Sequence, residues 1–410
     1  MDLAIYAHPW DLRALDAHGG LARLRDLGFG EVALAVSYHA GRWLTPWDPR
    51  GMVRFLEDGT VHYRPHSDYG LLQPKMSAEV PDDGPSPLEW LCDQAPKAGL
   101  RARAWTVGTH NTRLGELHPD CCIENLFGDV YTYALCPANP HVLQYLLALV
   151  GDVGAHAGLD AIELEAFGWM GWKHSSHHEK SSFVPDAFLE RLLSMCWCDS
   201  CLATQGRPVG LRVDPELLDR RQRLATAVRE LFARADAMDP KTSATRGPGA
   251  SQFEEVQRWV DSPALGMTGK SLFDPRLRIE STLRAVRARV PPAIRLALQV
   301  HPNEHFRGSQ APGSNRYALE LGERSEYVVT CYGDGPDGIG KALAALPRPA
   351  GRQTSLRLCI HPRAPQFGGD GDLRVVRELC AQHAVSSLSV YHLGLLPWRT
   401  IERTAAAFRA

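Results

Sequence analysis

The sequence predicts a (β/α)8 barrel, an α/β fold of eight parallel strands alternating with helices, and three observations point to it. Eight short apolar runs are spread along the chain, at residues 3–7, 32–36, 103–107, 161–164, 294–300, 327–330, 355–360 and 388–391. Stretches with room for a helix separate them. Polar residues stand just past the ends of the runs, where the carboxyl ends of barrel strands converge on one face.

The first run leads into His8-Pro9-Trp10, and a helix over residues 20–27 stops at Gly28, a common C-terminal signal. The second run leads into Ser37-Tyr38-His39 and then an insertion over residues 40–85. Within it, residues 53–56 and 60–63 flank Glu57-Asp58-Gly59, which reads as a β-hairpin. A helix over 87–98 precedes the third run, which ends in Gly108-Thr109-His110-Asn111. An excursion over 113–139 and a helix over 141–156 lead to the fourth. Residues 167–293 then form a second insertion, too long for one helix and its turns. It carries a His-rich loop, a cysteine cluster, an amphipathic helix over 215–237 with apolar Leu217, Leu218, Leu224, Val228, Leu231 and Phe232, a Gly/Ser/Pro-rich loop at 240–251, and a helix over 279–290. The remaining runs alternate with helices, and the last helix spans 400–409. The expectation is one barrel domain over 1–410, with the second insertion lying over its mouth.

Composition narrows the function. Lys+Arg 45 against Asp+Glu 47 give a net charge of −2, which offers no basic footprint for nucleic acid or an anionic membrane. No apolar stretch reaches the ~20 residues of a membrane helix. The N-terminus enters a strand without a signal peptide's basic start, so a cytoplasmic location is expected. The ten cysteines then read as thiols or metal ligands. A small-molecule or carbohydrate substrate and no organic cofactor are expected; the sequence leaves monomer and homo-oligomer open.

The chemistry centres on Leu159-Asp160-Ala161-Ile162-Glu163-Leu164-Glu165. Side chains alternate along a strand, so Glu163 and Glu165 share a face. If Ile162 and Leu164 pack on the helices, both carboxylates enter the barrel, Glu165 nearer the mouth. A carboxylate there is costly unless paired or used. Glu165 is the leading catalytic candidate and Glu163 its neighbour, with an ion pair to a barrel Arg or Lys as the structural alternative. Asp334, past the sixth run, is the candidate second carboxylate, since paired carboxyls serve glycosidic cleavage. Gly333 to Gly338 also reads as an ordinary turn.

His8, His39, His110, His301, His361 and His392 follow six of the eight runs. They suit sugar hydroxyls, proton transfer or a metal, the last with Glu165, His301, His361 and His392 as ligands. No His-x-His pair follows the first run, as an amidohydrolase site would need. Trp10, Trp105, Asn111, Trp169, His177, His178 and Tyr332 complete the substrate-binding candidates; flat aromatic faces suit sugar rings. Cys196-Trp197-Cys198-Asp199-Ser200-Cys201 supplies three thiolates for a structural zinc, with Cys121, Cys122, Cys136 or a histidine as the fourth ligand.

Several stretches together resemble a poorly characterised group of glycoside-hydrolase-like barrel proteins. They are Asn125-Leu126-Phe127-Gly128-Asp129, Leu135-Cys136-Pro137-Ala138-Asn139-Pro140, the fourth strand with Phe167-Gly168, residues 174–180, the C-x-C-x-x-C stretch and Val390-Tyr391-His392-Leu393-Gly394. The resemblance implies that Glu165 is the active-site carboxylate and that the mouth binds a carbohydrate or sugar-like group. Laid on the D-x-x-D-x-D-x-E strand of chitinase-type hydrolases, Asp160, Glu163 and Glu165 take the aspartate places, but Phe167 replaces the acid glutamate. No Asn-Glu pair stands on the fourth strand, and His361-Pro362-Arg363 replaces a nucleophile after the seventh. The leading expectation is therefore cleavage or rearrangement of a glycoside, with a metal-dependent hydrolase or isomerase and a non-catalytic carbohydrate-binding barrel as alternatives.

Overall fold

A computed structural model describes residues 1–48, 51–174, 187–203, 213–236, 275–304, 306, 308–350 and 354–409. Eight strands form its centre: β1 (Asp2–Ala7), β2 (Glu31–Tyr38), β3 (Arg101–Val107), β4 (Leu159–Glu165), β5 (Arg295–Gln299), β6 (Glu326–Cys331), β7 (Ser355–Ile360) and β8 (Ser387–Val390). Each pairs in parallel with the next, and β8 pairs with β1 to close the ring. Closure explains the near-continuous apolar runs, because one face of each strand packs on helices and the other fills the interior. All eight residues of β2 are buried.

The outer helices are α1 (Gly20–Asp26), α2 (Pro87–Lys97), α3 (Pro140–Gly154), α4 (Pro275–Arg289), α5 (Tyr317–Leu321), α6 (Pro336–Ala345), α7 (Asp370–Gln382) and α8 (Trp398–Arg409). Their starts are encoded locally. Ser86 and Glu89 form a reciprocal capping box at α2, and the Asn139 side chain accepts from His141 N at 2.9 Å to start α3. No helix among the described residues is long and apolar enough to cross a membrane.

The first insertion corrects the expected hairpin. Val53–Leu56 pairs antiparallel with Gly41–Leu44, not with the segment that follows Gly59. Thr60–Val61 instead adds antiparallel to the end of β2, Ser37 opposite Val61. The β2–β3 register shifts between Ala35 and Ser37. The end of β2 therefore has backbone to offer the returning chain, a long-range pairing that outcompetes the local turn. After β3 the chain makes a helix, Thr112–Leu117, and a hairpin of Cys122–Glu124 with Val130–Leu135.

In the second insertion the expected helix runs over Pro215–Asp236. Leu217, Leu224 and Val228 pack with Leu189, Leu192, Trp197, Leu202 and Leu126 in a small core of their own. Leu218 is exposed instead, outside the buried stripe. The loop at 240–251 and the His-rich segment with His177 and His178 lie outside the described residues.

Candidate active site

The lower barrel interior is a closed ion-pair layer. Arg103 on β3 donates from Nε to Glu31 at 2.5 Å, from Nη1 to Glu163 at 3.2 Å and from Nη2 to Glu326 at 2.5 Å. Arg357 donates to Glu326 at 2.9 Å and lies 3.2 Å from Glu31, which also accepts from Arg295 at 2.9 Å. Burial pushes the Glu31 carboxyl up, but Arg103, Arg357 and Arg295 outweigh it and hold the group well below the usual range. Glu31, Arg103, Glu163, Glu326 and Arg357 are all buried.

Glu163 points inward from β4, but both its oxygens belong to this layer. Oε2 takes Arg103, while Oε1 accepts from Gln299 Nε2 at 2.8 Å and from the Tyr6 hydroxyl. It has no solvent exposure, so the structure gives it the ion-paired place that was its alternative reading.

Glu165 stands two residues higher and is built differently. It is 6% exposed, and Oε2 accepts from Trp105 Nε1 at 2.6 Å. Burial raises its carboxyl to about 7, with the Glu163 charge adding to the rise and hydrogen bonds from Trp105, Ser309 and Gln299 opposing it. A carboxyl that titrates near neutrality can both give and take a proton. The next residue, Ala166, has φ 55°; its N–H donates to Ser309 O at 2.7 Å, and its carbonyl accepts from Thr109 N at 2.6 Å.

Aromatic rings crowd this upper level. Trp105 meets Tyr6 and Tyr38 edge-on at 5.0 and 4.9 Å, and Tyr332 lies 4.2 Å from Tyr391. His8 stacks on Trp10 at 4.5 Å and hydrogen-bonds His392 at 2.8 Å. His39 stacks on His110 at 4.0 Å, and His110 meets His174 edge-on. His361 packs edge-on against Tyr391 at 5.6 Å. Burial lowers the pKa of all of these histidines, to about 4 for His361 and His174, so the lining is neutral at physiological pH.

Other candidates are less central. His301 stacks on Phe306 and accepts from Asn303 N. Trp169 faces the Arg278 guanidinium at 5.9 Å. Asn111 is buried and caps the Thr112–Leu117 helix through Leu114 N at 2.9 Å, so its side chain serves the fold. Asp334 is exposed; its carboxylate raises the pKa of the nearby Cys331 thiol, which it hydrogen-bonds, and favours protonation of His301. Residues that sequence reasoning did not select are Tyr38, Gln299, Ser309 and Tyr391. Tyr391 ends an apolar run and Gln299 stands one residue before the end of another, so both carried a positional signal; Ser309 carried none.

Cys196, Cys198 and Cys201 are joined by Cys136, all four buried, with Cys136 Sγ at 3.7, 3.6 and 3.6 Å from the other three. A tetrahedron with Zn–S of about 2.3 Å has S–S edges of roughly 3.8 Å, so the donor set and spacing fit a metal ion. Cys122 instead faces backbone carbonyls of its own loop. Among the described residues, only this group and His8, Asp11 and His392 bring three or more ligand atoms together. Glu165, His301, His361 and His392 do not converge, which corrects that ligand set.

No protein-family model matches the sequence, and no curated protein does. Solved structures do. The catalytic domain of a β-amylase from Paenibacillus polymyxa superposes with a TM-score of 0.54 at 11% identity, covering 99% of this chain and 96% of the other. The PgaB (BpsB) glycoside hydrolase domain from Bordetella bronchiseptica gives 0.50 at 14%, covering 100% and 98%. The chain shares the (β/α)8 barrel fold with these two domains. A β-galactosidase from Marinomonas ef1 also matches, at TM-score 0.46 and 11% identity, and this chain spans 59% of its length. At these identities the likeness is one of fold.

Proposed function

We propose that the protein is an enzyme acting on a glycoside or related sugar, with Glu165 as its general acid/base. The observation that carries this is the Glu165 carboxyl at the carboxyl end of β4, poised near neutrality among aromatic faces and uncharged hydrogen-bonding groups. Aromatic rings bind the apolar faces of a pyranose, and neutral His and Tyr groups suit its hydroxyls. A proton held by Glu165 is placed for transfer to a departing glycosidic oxygen. His8, Trp10, His39, Trp105, His110, Trp169, His301, Tyr332, His361 and His392 stay assigned to substrate contact, as do His177 and His178. Glu163 acts through Glu165, its charge helping to keep the proton on its neighbour. Asp334 stays assigned as second carboxylate, from the solvent side, and Asp334→Asn tests that part.

The test is turnover of a panel of aryl glycosides and oligosaccharides. Glu165→Gln is expected to lower kcat by about 10²–10⁴-fold and to remove a limb of the pH–rate profile near 7. Turnover within a few-fold of the parent would refute the assignment. Sugar binding without turnover, unaffected by Glu165→Gln, would support a carbohydrate-binding barrel instead.

Within the same reading, Cys136, Cys196, Cys198 and Cys201 hold a structural zinc that ties the hairpin after β3 to the second insertion. Four thiolates leave no open coordination position, so its contribution is folding energy. Metal analysis is expected to find one zinc per chain, absent in Cys198→Ser along with a lower Tm. A full complement of zinc in that variant would exclude the site. None of the ten cysteines is paired in a disulfide, which suits a reducing cytoplasm.

A further inference from the structure

His8, His392 and Asp11 are fully or almost fully buried at 0, 1 and 2% exposure, and their hydrogen bonds fix where the protons lie. Gly394 N–H donates to His392 Nδ1 at 3.2 Å. The Asp11 carboxylate is 3.5 Å from the same nitrogen, beyond a good hydrogen bond, and accepts instead from His8 N at 2.8 Å. His392 Nδ1 is therefore an acceptor, and its proton sits on Nε2. That proton is donated to His8 Nδ1 at 2.8 Å. His8 must then carry its own proton on Nε2, and this buried N–H meets no acceptor.

A second orphan donor lies beside it. Trp43 Nε1 is also buried and unpartnered, and its ring centroid is 4.6 Å from that of His8. Trp10, Tyr38 and Trp105 complete the surround, at 4.5, 4.8 and 5.7 Å from His8. Two unsatisfied N–H groups in one apolar enclosure are costly, and a ligand oxygen would remove the cost. The 2.8 Å separation of the two imidazole nitrogens argues for a hydrogen bond over a shared metal, where nitrogens ~2.0–2.1 Å from zinc would stand roughly 3.3 Å apart.

We propose that Gly394, His392 and His8 form a proton-ordered chain whose terminal His8 N–H, with Trp43 N–H beside it, binds an uncharged acceptor oxygen of the sugar. Asp11 and His392 are positioning residues; His8 and Trp43 supply the contact. This rests on the carbohydrate reading above and adds that the substrate presents a neutral oxygen here, since among the described residues the rings packed on His8 are Trp10, Tyr38, Trp43, Trp105 and His392, none of them a cation that would favour a carboxylate.

The test uses the full chain labelled with ¹⁵N-histidine, with signals assigned through His8→Gln and His392→Gln. Both rings are expected to be neutral with the proton on Nε2; a His8 proton on Nδ1 overturns the proposal. Glucose, galactose, xylose, N-acetylglucosamine and glucuronate are then titrated in. At least one neutral sugar is expected to shift the His8 Nε2 signal, and glucuronate is not. His8→Phe should weaken that sugar's binding roughly tenfold, and His8→Gln, which restores a donor, should recover most of it. A His8 signal unmoved by every neutral sugar overturns the proposal, as does a second bound metal lost in His392→Gln. If Glu165→Gln abolishes turnover while His8 stays silent, the enzyme reading stands and this one falls. Should His8→Phe fail to fold, the tautomer and His8→Gln measurements still decide.

Discussion

Glu163 and Glu165 are neighbours on the inner face of β4, and the barrel around them is built on different terms. Below, at the level of Glu163, four side chains from β2, β3, β6 and β7 (Glu31, Arg103, Glu326 and Arg357) carry full charge and neutralise one another in a buried layer. Above, around Glu165, the partners are indole, amide, phenol and imidazole groups, and several polar atoms have no partner: His8 Nε2, Trp43 Nε1, His110 Nδ1, Gln299 Oε1 and Tyr332 Oη. The lower level answers low dielectric with pairing, the upper one with neutrality. Pairing fixes a structure, whereas neutrality with unmet hydrogen bonds leaves room for a ligand to complete it.

Substitutions can break or sharpen this contrast. The largest effect is expected at Arg103→Met, which takes a charged partner from Glu31 and Glu326 and leaves Glu163 without its arginine, and should cost about 3–5 kcal/mol by denaturant titration. A loss under ~1 kcal/mol would mean that the lower layer is not structural. Glu165→Gln should act in the opposite sense. Its folded pKa, about 7, lies above the unfolded value near 4.3, so the folded state binds the proton more tightly. The cost of ionisation is absent below pH ~4, grows through the window between the two values, and is complete above 7. The variant should therefore be stabilised by on the order of 3 kcal/mol at pH 8 and little changed at pH 4. Identical shifts at both pH values would contradict a buried, titrating carboxyl.

A pair of tyrosines gives the smallest and sharpest comparison. Tyr6→Phe removes a donor to the charged Glu163 and should cost about 1.5–3 kcal/mol. Tyr332→Phe removes a hydroxyl with no oxygen or nitrogen partner and should stay within about 0.5 kcal/mol in stability while weakening sugar binding. Equal costs at both positions would erase the distinction between the levels.

The barrel was legible because each strand's inner and outer faces are both buried, which leaves continuous apolar runs that local composition reveals. The placement of Glu165 followed from strand alternation alone. The hairpin partner of Val53–Leu56 was not legible, since it depended on whether the end of β2 offered its backbone, and that rests on a register shift against β3. Cys136 could be named only among alternatives, because sixty residues separate it from Cys196 and only the hairpin after β3 brings it near. The partnership of Glu163 with Arg103 depends on three-dimensional register, as does the ordering of His8 and His392, which come from opposite ends of the sequence.

Ala166 carries a consequence for how the Glu165 carboxyl is aimed. A left-handed torsion at a residue with a β-carbon is unfavourable by roughly 1–2 kcal/mol, and here the loops after β3 and β5 impose it through Thr109 and Ser309. The direction of the Glu165 carboxyl is thus steered by main-chain torsion under outside tension. Thr109→Val, which removes the hydroxyl that donates to the Ala166 carbonyl at 2.8 Å, would loosen the hold on the peptide that follows Glu165.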